Sequence, residues 1–396
     1  MPAPQALDPR LPAPDPDAAA HGERMLAHLR RRIEAAGGAL TFEQYMHEAL
    51  YAPGLGYYSA GAAKLGAAGD FVTAPELGPL FAGCIGRHAA ALLERLGGGD
   101  VLELGAGTGA LAAGVLETLA GLGALPRRYL ILEPSPELRA RQQARLGGLA
   151  PPLGGRVTWL EALPEGGIRG LILANEVADA LPVARVRSRA GTLKELGVCW
   201  RNGPAGCELE PRPQVRTAWE GLLQTLPAAL PADYETELSL ALAPWIRGLA
   251  DALAAGEVLL VDYGHPAREY YHPRRTGGTL MCHYRHRAHP DPFLLPGLQD
   301  ITAHVDFSAA ARAGAAAGLR LAGFTTQAEF LLGNGLLEAL EALGPDAGAD
   351  YLARAQEAKR LLMPGEMGER FKALALTRGL DRPPPGFARL DLRGRL

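Results

Sequence analysis

The residue pattern with the clearest chemical meaning is a glycine-rich turn after a short apolar run. Residues 101–109 read VLELGAGTG, and residues 110–122 are rich in Ala and Leu, as expected of a helix. Glycine lacks a Cβ, so Gly105 and Gly107 allow a tight turn that brings the backbone around Ala106 close to a ligand. The helix N-terminus adds free N–H donors. The pattern predicts a nucleoside-cofactor site, without separating a methyltransferase from a nicotinamide or flavin enzyme.

Two glutamates and the glycine spacing favour one cofactor. The spacing is G-x-G-x-G, whereas the dinucleotide pattern is G-x-G-x-x-G. Glu133 ends the apolar run 129–132 and is placed to accept hydrogen bonds from both ribose hydroxyls; a solvated carboxylate at a strand end is the alternative. Glu103 precedes the first glycine, where methyltransferases have a carboxylate that positions the methionine ammonium group. We therefore expect S-adenosyl-L-methionine as cofactor.

Polar residues also follow two later apolar runs. Asn175, Glu176 and Asp179 come directly after the run 170–174. Such groups at the end of a buried strand cost free energy unless they are paired or used, and this edge of an open α/β sheet lines the ligand crevice. We predict that at least one of them is functional. Glu161 follows another run and is predicted near the adenine, with a surface position as the alternative.

The elements that must position these residues alternate between short β-type runs and helical segments. This alternation is typical of a doubly wound parallel sheet. It predicts an α/β fold of the class I (Rossmann-like) methyltransferase type, with a seven-stranded, mostly parallel sheet. The predicted strands are residues 101–104, 128–133, 156–160, 170–174, 257–262, 319–324 and 371–377.

Composition shifts along the chain predict four parts. These are a disordered leader, an N-terminal helical cap region, the methyltransferase domain and a flexible tail, at residues 1–20, 21–98, 99–380 and 381–396.

Two insertions and one helix start interrupt the plain alternation. Residues 183–241 are predicted to contain a β-hairpin, from the runs 184–194 and 196–200. Residues 265–318 are rich in His, Arg, Tyr and Pro and are predicted to form a long irregular connection, a kind of loop that is usually functional. The sequence TFEQ at 41–44 predicts a capping box.

Composition argues against several functional classes. The formal net charge of −3 gives no general attraction to nucleic acid or anionic lipid. No run of about 18 uncharged apolar residues is present to span a membrane, and the first residues lack a secretory signal pattern. The four cysteines lack C-x-x-C spacing, which argues against a zinc ribbon or disulfide scaffold. We expect a cytoplasmic protein.

The histidines are a separate candidate cluster. His283, His286 and His289 are spaced by three, but the interleaved arginines oppose a cation, and we predict no metal site. His304 and Asp306 are candidates for a general base, with a buried hydrogen-bonded pair as the equal alternative.

Seven motifs together resemble the MidA family, which includes the mitochondrial complex I assembly factor that methylates an arginine. The resemblance covers roughly residues 40–380. It implies a class I fold, S-adenosyl-L-methionine as methyl donor and an arginine side chain of a protein as acceptor. The motifs are YAPGLGYY at 51–58, GDFVTAPE at 69–76, NEVADALPV at 175–183, LVDYG at 260–264, GGTLMCHY at 277–284, DITAHVDF at 300–307 and MGERFK at 367–372.

The resemblance also implies roles for individual residues. Glu176, Asp179 and Asp262 are expected to be catalytic, and the segment 69–75 is expected to close over the cofactor. Cofactor contacts are expected from Gly69, Asp70, Thr73, Pro75, Glu103, Gly105, Ala106, Gly107, Glu133, Pro134, Glu161, Ala162, Asn175 and Glu176.

The expected acceptor group is a poor nucleophile, since the guanidinium charge is delocalised and its pKa lies above about 12. Paired carboxylates orient such a group for in-line transfer. Glu176 and Asp179 are three apart, and on one side of a helical turn they would form this clamp. Glu76 is a further acidic candidate from its motif. Two departures leave the acceptor open: Val177 and Ala178 stand where the family often has aromatic residues, and many members have Pro and Arg in the glycine turn.

Three alternatives remain. A small-molecule methyltransferase needs the same donor site, and an assembly factor can retain S-adenosyl-L-methionine as a structural ligand. A nicotinamide dehydrogenase is disfavoured by the glycine spacing. The expected partners are a protein acceptor and, as an open alternative to a monomer, a second copy of the chain; nucleic acid and membrane are not expected.

Overall fold

The computed structural model describes residues 11–60, 73–165, 167–189, 192–201, 207–211, 226, 230–231, 233–344, 348–383 and 385–396. The strands there are β1 (Ala39–Thr41), β2 (Asp100–Leu104), β3 (Tyr129–Leu132), β4 (Val157–Leu160), β5 (Ile168–Asn175), β6 (Ala184–Arg189), β7 (Thr192–Trp200), β8 (Cys207–Pro211), β9 (Tyr234–Leu238), β10 (Leu253–His265), β11 (Met281–Tyr284), β12 (Arg287–His289), β13 (Asp300–Thr302), β14 (Val305–Asp306), β15 (Arg320–Thr326) and β16 (Phe371–Arg378).

The α-helices of the same residues are α1 (Pro16–Ala35), α2 (Phe42–Tyr51), α3 (Ala74–Leu77), α4 (Pro79–Leu96), α5 (Ala110–Gly121), α6 (Pro136–Gly147), α7 (Pro151–Gly154), α8 (Leu242–Ala252), α9 (Ala267–Tyr270), α10 (Phe307–Ala316), α11 (Gln327–Gly333), α12 (Leu336–Leu343) and α13 (Ala349–Leu362). Short 3₁₀ helices cover Ala178–Ala180, Pro385–Phe387 and Arg393–Arg395.

The chain forms two compact units, each built from separated segments. We call Met1–Phe71, Asp179–Ala241 and Ala267–His304 the insertion unit, and Val72–Ala178, Leu242–Pro266 and Val305–Leu396 the sheet unit. The predicted boundary between residues 98 and 99 is therefore wrong. Helix α4, on the N-terminal side of that boundary, buries its apolar residues in the core of the sheet unit.

The sheet unit contains the predicted α/β sheet. In the described residues its strand order is β15-β16-β10-β5-β2-β3-β4, and β14 pairs with β10. The pairs β10–β5, β5–β2, β2–β3 and β3–β4 are parallel, whereas β16 is antiparallel to both of its neighbours. All seven predicted strands and the class I fold are confirmed. The order reverses at β2, so the end of β2 lies at a topological switch point, where open α/β sheets bind ligands.

The central strands are long apolar runs because both faces of the sheet are covered. Residues 258–261 of β10 are almost completely inaccessible to solvent, as are residues 171–173 of β5. Parallel strands covered on both faces have such continuous apolar sequences. This is why the sequence predicted these strands well.

The insertion unit contains a second sheet and its own apolar core. The order among described residues is β1-β7-β6-β9, and β8 pairs with β7. Strands β6 and β7 are the predicted antiparallel hairpin. The predicted capping box is confirmed at the start of α2, where Thr41 and Gln44 each accept a hydrogen bond from the other's backbone N–H at 3.0 Å. Helix α1 buries Met25, Leu29 and Ile33 on one face.

The prediction that residues 265–318 form an irregular connection is wrong. The segment contains α9, a three-stranded sheet of order β12-β11-β13, the short strand β14 and helix α10. The β11–β12 hairpin turns through Arg285 and His286, whose φ values are 45° and 61°. This is the backbone of a two-residue hairpin turn that normally carries Asn or Gly, so Arg and His at these positions do not indicate a turn. Asp306, one half of the predicted acid–base pair, instead caps α10 by accepting a hydrogen bond from Ala309 N at 3.0 Å.

The described parts of the predicted leader and tail contain ordered structure. Residues 1–10 lie outside the described part, but α1 starts at Pro16, and the Asp15 side chain caps it by accepting a hydrogen bond from Ala18 N at 2.9 Å. In the predicted flexible tail, Phe387 is buried against Phe330 and His88. An apolar side chain that completes a core holds its segment in place. None of the described helices combines the length and the apolar character required to cross a membrane.

Candidate cofactor site

The glycine turn between β2 and α5 has the backbone that its sequence suggests. Gly105, Gly107 and Gly109 have φ values of 60°, 54° and 82°, in the left-handed region that side chains disfavour. A Cβ added to Gly105 would also lie 3.2 Å from Val177 Cγ2. The turn therefore passes close to the segment after β5, and Ala106 within it is buried.

Glu103 is a buried carboxylate beside this turn. Its exposure is 2%, and Tyr129 Oη donates a hydrogen bond to Glu103 Oε2 at 2.5 Å. Burial raises the pKa of Glu103 to about 7, against the opposing effect of the Tyr129 hydrogen bond, and the nearby charge of Glu133 adds to the rise. A cation next to a buried carboxylate favours its ionised form. Glu103 is thus suited to an ammonium group.

Glu133, after β3, is held by hydrogen bonds from Ser135, Gln142 and Gly107. Its Oε1 accepts a hydrogen bond from Ser135 N and its Oε2 accepts one from Gln142 Nε2, both at 3.0 Å. Burial raises the pKa of Glu133, while the hydrogen bonds from Ser135, Gln142 and Gly107 lower it. A carboxylate has about four lone-pair sites on its two oxygens. The carboxylate therefore keeps acceptor capacity beyond these three hydrogen bonds, which a ribose hydroxyl can use.

Gln142 on α6 is a residue that the sequence prediction missed. It is fully buried, and besides Glu133 its Nε2 donates to Gly107 O at 2.9 Å, while its Oε1 accepts from Trp159 Nε1 at 2.9 Å. It thereby joins the glycine turn, the Glu133 carboxylate and β4. Nothing in the sequence distinguishes it from the neighbouring Gln143, which is exposed.

Glu176 has an unusual backbone at the end of β5. Its φ is 54°, its N donates to Val261 O at 2.9 Å, and its Oε1 accepts from Asn175 Nδ2 at 3.2 Å and Ala74 N at 3.4 Å. A non-glycine residue in this conformation costs about 1–3 kcal/mol and is frequent at functional sites. The predicted helical turn joining Glu176 to Asp179 is wrong, because the 3₁₀ helix begins only at Ala178.

Asp179 and Asp262 lie in different units. In the insertion unit, Asp179 is buried and its carbonyl oxygen accepts a hydrogen bond from Ala303 N at 3.0 Å. In the sheet unit, Asp262 is buried near the end of β10. Its Oδ2 accepts from Ala178 N at 3.0 Å and its Oδ1 from Tyr263 N at 2.9 Å. These two amides fix the orientation of the Asp262 carboxylate beside the segment after β5.

Helix α3 is tied to the glycine turn. Thr108 Oγ1 donates a hydrogen bond to Glu76, and Arg145 Nη1 lies 3.5 Å from the same carboxylate. Thr73 and Pro75 are the N-cap and an N-terminal residue of α3, so the described end of the motif at 69–76 adjoins the turn. Gly69 and Asp70 lie outside the described residues.

Three predicted cofactor residues are exposed. Pro134 and Ala162 are exposed. The Glu161 side chain is 84% exposed and pairs with Arg139, which agrees with the surface alternative. A strand-end carboxylate looks the same in sequence whether it turns inward or outward, so the prediction had no means of separating Glu161 from Glu133.

The candidate histidine cluster shows no metal-binding arrangement in the part of the chain that the structure describes. His283 is on β11, and burial lowers its pKa, with a further contribution from His289. The backbone N of His304 donates to Thr279 Oγ1 at 3.1 Å.

The residues around the end of β2 fit S-adenosyl-L-methionine. Glu103 suits its ammonium group, Glu133 its ribose hydroxyls, and the left-handed glycine turn allows close approach of the ligand to the backbone. The residues are all in the sheet unit, around the end of β2.

Comparisons with known proteins point to the same cofactor. A family model for S-adenosyl-L-methionine-dependent methyltransferases matches residues 84–325. The mitochondrial protein arginine methyltransferase NDUFAF7 of Mus musculus is 30% identical, with 89% of this chain and 84% of that protein covered. The Drosophila melanogaster homolog is 28% identical, with coverage of 95% and 92%.

A solved structure is similar over nearly the whole chain. It is that of a COG1565 superfamily member from Burkholderia thailandensis, bound to S-adenosyl-homocysteine. It is 46% identical and has a TM-score of 0.93, with 98% of this chain and 100% of that chain covered.

Proposed function

The chain belongs to the MidA family of S-adenosyl-L-methionine-dependent methyltransferases, and from this premise we propose that it methylates an arginine side chain of a protein. Support comes from the relatives named protein arginine methyltransferases. The family resemblance further suggests a subunit of respiratory complex I as acceptor, and we include that identity in the proposal.

The observation that carries this proposal is a carboxylate on a residue with a strained backbone, Glu176, at the end of β5. Glu176 adopts a left-handed backbone although it is not a glycine. The next residue, Val177, lies against the cofactor turn at Gly105. The strain is tolerated because the Glu176 backbone N–H and carboxylate are both hydrogen-bonded within the sheet unit. A carboxylate fixed there is suited to bind a cationic acceptor beside the methyl donor.

For methyl transfer to a guanidinium, orienting the acceptor nitrogen matters more than activating it. S-adenosyl-L-methionine supplies an electrophilic methyl group, and transfer requires the acceptor nitrogen in line with the breaking bond. A carboxylate that binds two N–H groups of the guanidinium fixes its plane and draws positive charge onto those nitrogens. The third nitrogen then retains more of its lone pair, and it loses one proton to solvent as the methyl group is added, so the product guanidinium keeps a single positive charge. We assign this binding role to Glu176, with Asp179 and Asp262 as the further catalytic carboxylates.

The test replaces each carboxylate by its amide. Glu176→Gln is expected to lower kcat by about 100-fold, the size of a lost charge-assisted contact in the transition state. The affinity for S-adenosyl-homocysteine, measured by calorimetry, should change less than about threefold, because the substitution leaves Glu103 and Glu133 intact. Exposed Glu117 on α5 supplies the matched control, Glu117→Gln, with unchanged kcat.

The remaining acids are compared in the same assay. Asp262→Asn and Asp179→Asn are expected to lower kcat and to raise the KM for the acceptor. Full methyl transfer by Glu176→Gln, with an unchanged acceptor KM, would show that this carboxylate does not bind the acceptor.

A further inference from the structure

Gln142 links the three parts of the cofactor site through one buried amide. We propose that it is a positioning residue that makes the site specific for an intact ribose diol, by fixing the orientation of the Glu133 carboxylate. The inference rests on the cofactor class, and it holds whether the acceptor is an arginine, another side chain or a small molecule.

The orientation of the Gln142 amide is determined by its partners. The indole Nε1–H of Trp159 can only donate, so the atom that faces it at 2.9 Å is the amide oxygen. The Nε2 group therefore faces Glu133 Oε2 at 3.0 Å and Gly107 O at 2.9 Å, which both only accept. Each polar atom of Gln142 has a partner of the correct type. The reversed amide would place an oxygen against both acceptors.

Helix α6 constrains Glu133 both through its N-cap residue and through the Gln142 side chain. Ser135 N, at the N-terminus of α6, donates to Oε1, and Gln142 Nε2 donates to Oε2. Ser135 N, Gln142 Nε2 and the backbone of Gly107 together hold the carboxylate in one orientation towards the ribose hydroxyls. Gln142 is the side-chain donor among the three, so a substitution there removes a hydrogen bond from Oε2 while the two backbone donors stay in place.

Gln142 also joins recognition of the ribose to the shape of the turn. The same Nε2 holds the carbonyl oxygen of Gly107, and a Cβ on Gly109 would lie 3.4 Å from Gln142 Cα. Helix α6 therefore packs directly against the glycine turn. A side chain of equal length without an amide keeps this packing but removes the hydrogen bonds, which makes Gln142→Met the informative substitution.

The test measures discrimination between two nucleosides. Adenosine and 2′-deoxyadenosine compete against labelled S-adenosyl-homocysteine for the full chain, with the folded state checked by circular dichroism. The wild type should prefer adenosine by about tenfold or more, since loss of a hydrogen bond to a charged group costs about that factor. Gln142→Met should reduce the preference to less than about threefold. The matched control, Gln143→Met on the exposed face of α6, should keep the wild-type ratio.

A second variant separates orientation from packing. Trp159→Phe keeps Gln142 but removes the N–H that fixes its amide, so the preference for adenosine should fall here too. Because the readout is a ratio, any contact of residue 159 with the base affects both nucleosides and cancels. If Gln142→Met does not fold, Trp159→Phe decides alone. A wild-type ratio in both folded variants, or equal weakening of both nucleosides, would overturn the proposal.

Discussion

The ionised Glu103 carboxylate lowers the stability of the cofactor-free protein, because burial disfavours its charge. It is buried, it accepts one hydrogen bond from Tyr129, and its pKa is raised to about 7. Because the folded protein holds the proton more tightly than the unfolded chain does, this residue destabilises the fold as pH rises from the ordinary glutamate value of 4.5 through 7. A cation bound beside this carboxylate, as we propose for the cofactor's ammonium group, would offset that cost.

A pH-dependent stability measurement tests this description. Glu103→Gln should raise the free energy of unfolding of the cofactor-free protein by about 3 kcal/mol at pH 8, because 1 pKa unit corresponds to about 1.4 kcal/mol. The gain should shrink towards zero as the pH falls from 7 to 4.5. Urea denaturation at several pH values, with Glu117→Gln as the exposed control, measures it. An equal gain at every pH would contradict a buried, titrating carboxylate.

The sequence predicts individual site residues only where position along a strand limits the choice. Glu103 and Glu133 adjoin the ends of β2 and β3, so their roles follow from the fold. Gln142 is missed because a glutamine on a polar helix face has no sequence signal until Glu133, Trp159 and the turn are brought together. The same limit explains why the sequence alone does not show that Glu161 is exposed.

At the scale of elements, the C-terminal segment is part of the core of the sheet unit. The Phe387 ring packs at centroid distances of 5.3 Å from Phe330 and 6.2 Å from His88. Gly323 on β15 makes room for it, since a Cβ there would lie 2.3 Å from the ring. The composition of residues 381–386 indicates a flexible tail, but Phe387, the apolar residue that follows, packs into the core.

Removing this contact should therefore be costly. Phe387→Ala is expected to lower the free energy of unfolding by about 3 kcal/mol, the usual cost of deleting a buried aromatic ring. Leu390→Ala, at a position 40% exposed in the same segment, should change it by less than about 0.5 kcal/mol. Chemical denaturation of both variants makes the comparison. Equal, small effects would mean that the segment does not contribute to the core.

The elements differ in how well the sequence predicts them. The seven strands of the main sheet are predicted because continuous apolar runs identify strands buried on both faces. Strands β11, β12 and β13 are missed because each has only three or four residues and includes His, Arg or Thr. Strand β11 pairs with β13, which lies further along the chain, and with β12 through the turn at Arg285 and His286. Neither pairing is visible as a hydrophobic periodicity within one strand.

At the scale of the whole molecule, the residues that we propose for the cofactor site belong to one unit. Glu103, Gly105, Gly107, Glu133 and Gln142 are all in the sheet unit, although the chain leaves that unit twice and returns. A domain division along the sequence cannot represent this arrangement, because the insertions at 179–241 and 267–304 form a unit together with the N-terminal segment.

Hydrogen exchange should show this division. Saturating S-adenosyl-homocysteine at 100 times its Kd adds about 2.7 kcal/mol of stability, which corresponds to about 100-fold slower exchange. The slowing should concentrate in residues 101–110 and 131–145. The β6–β7 hairpin of the insertion unit serves as the internal reference and should slow much less. Protection centred on that hairpin, with none at the glycine turn, would place the ligand elsewhere.

The reaction that we propose is methyl transfer from S-adenosyl-L-methionine to an arginine of a protein. The most direct measurement is transfer of a labelled methyl group into a lysate, followed by mass spectrometry of the modified residue, with Glu176→Gln as the parallel sample. We predict label on protein arginine that depends on the wild-type chain and falls sharply in the variant. Label found only in small molecules, or only on other side chains, would contradict the arginine assignment and leave the methyltransferase fold with a different acceptor.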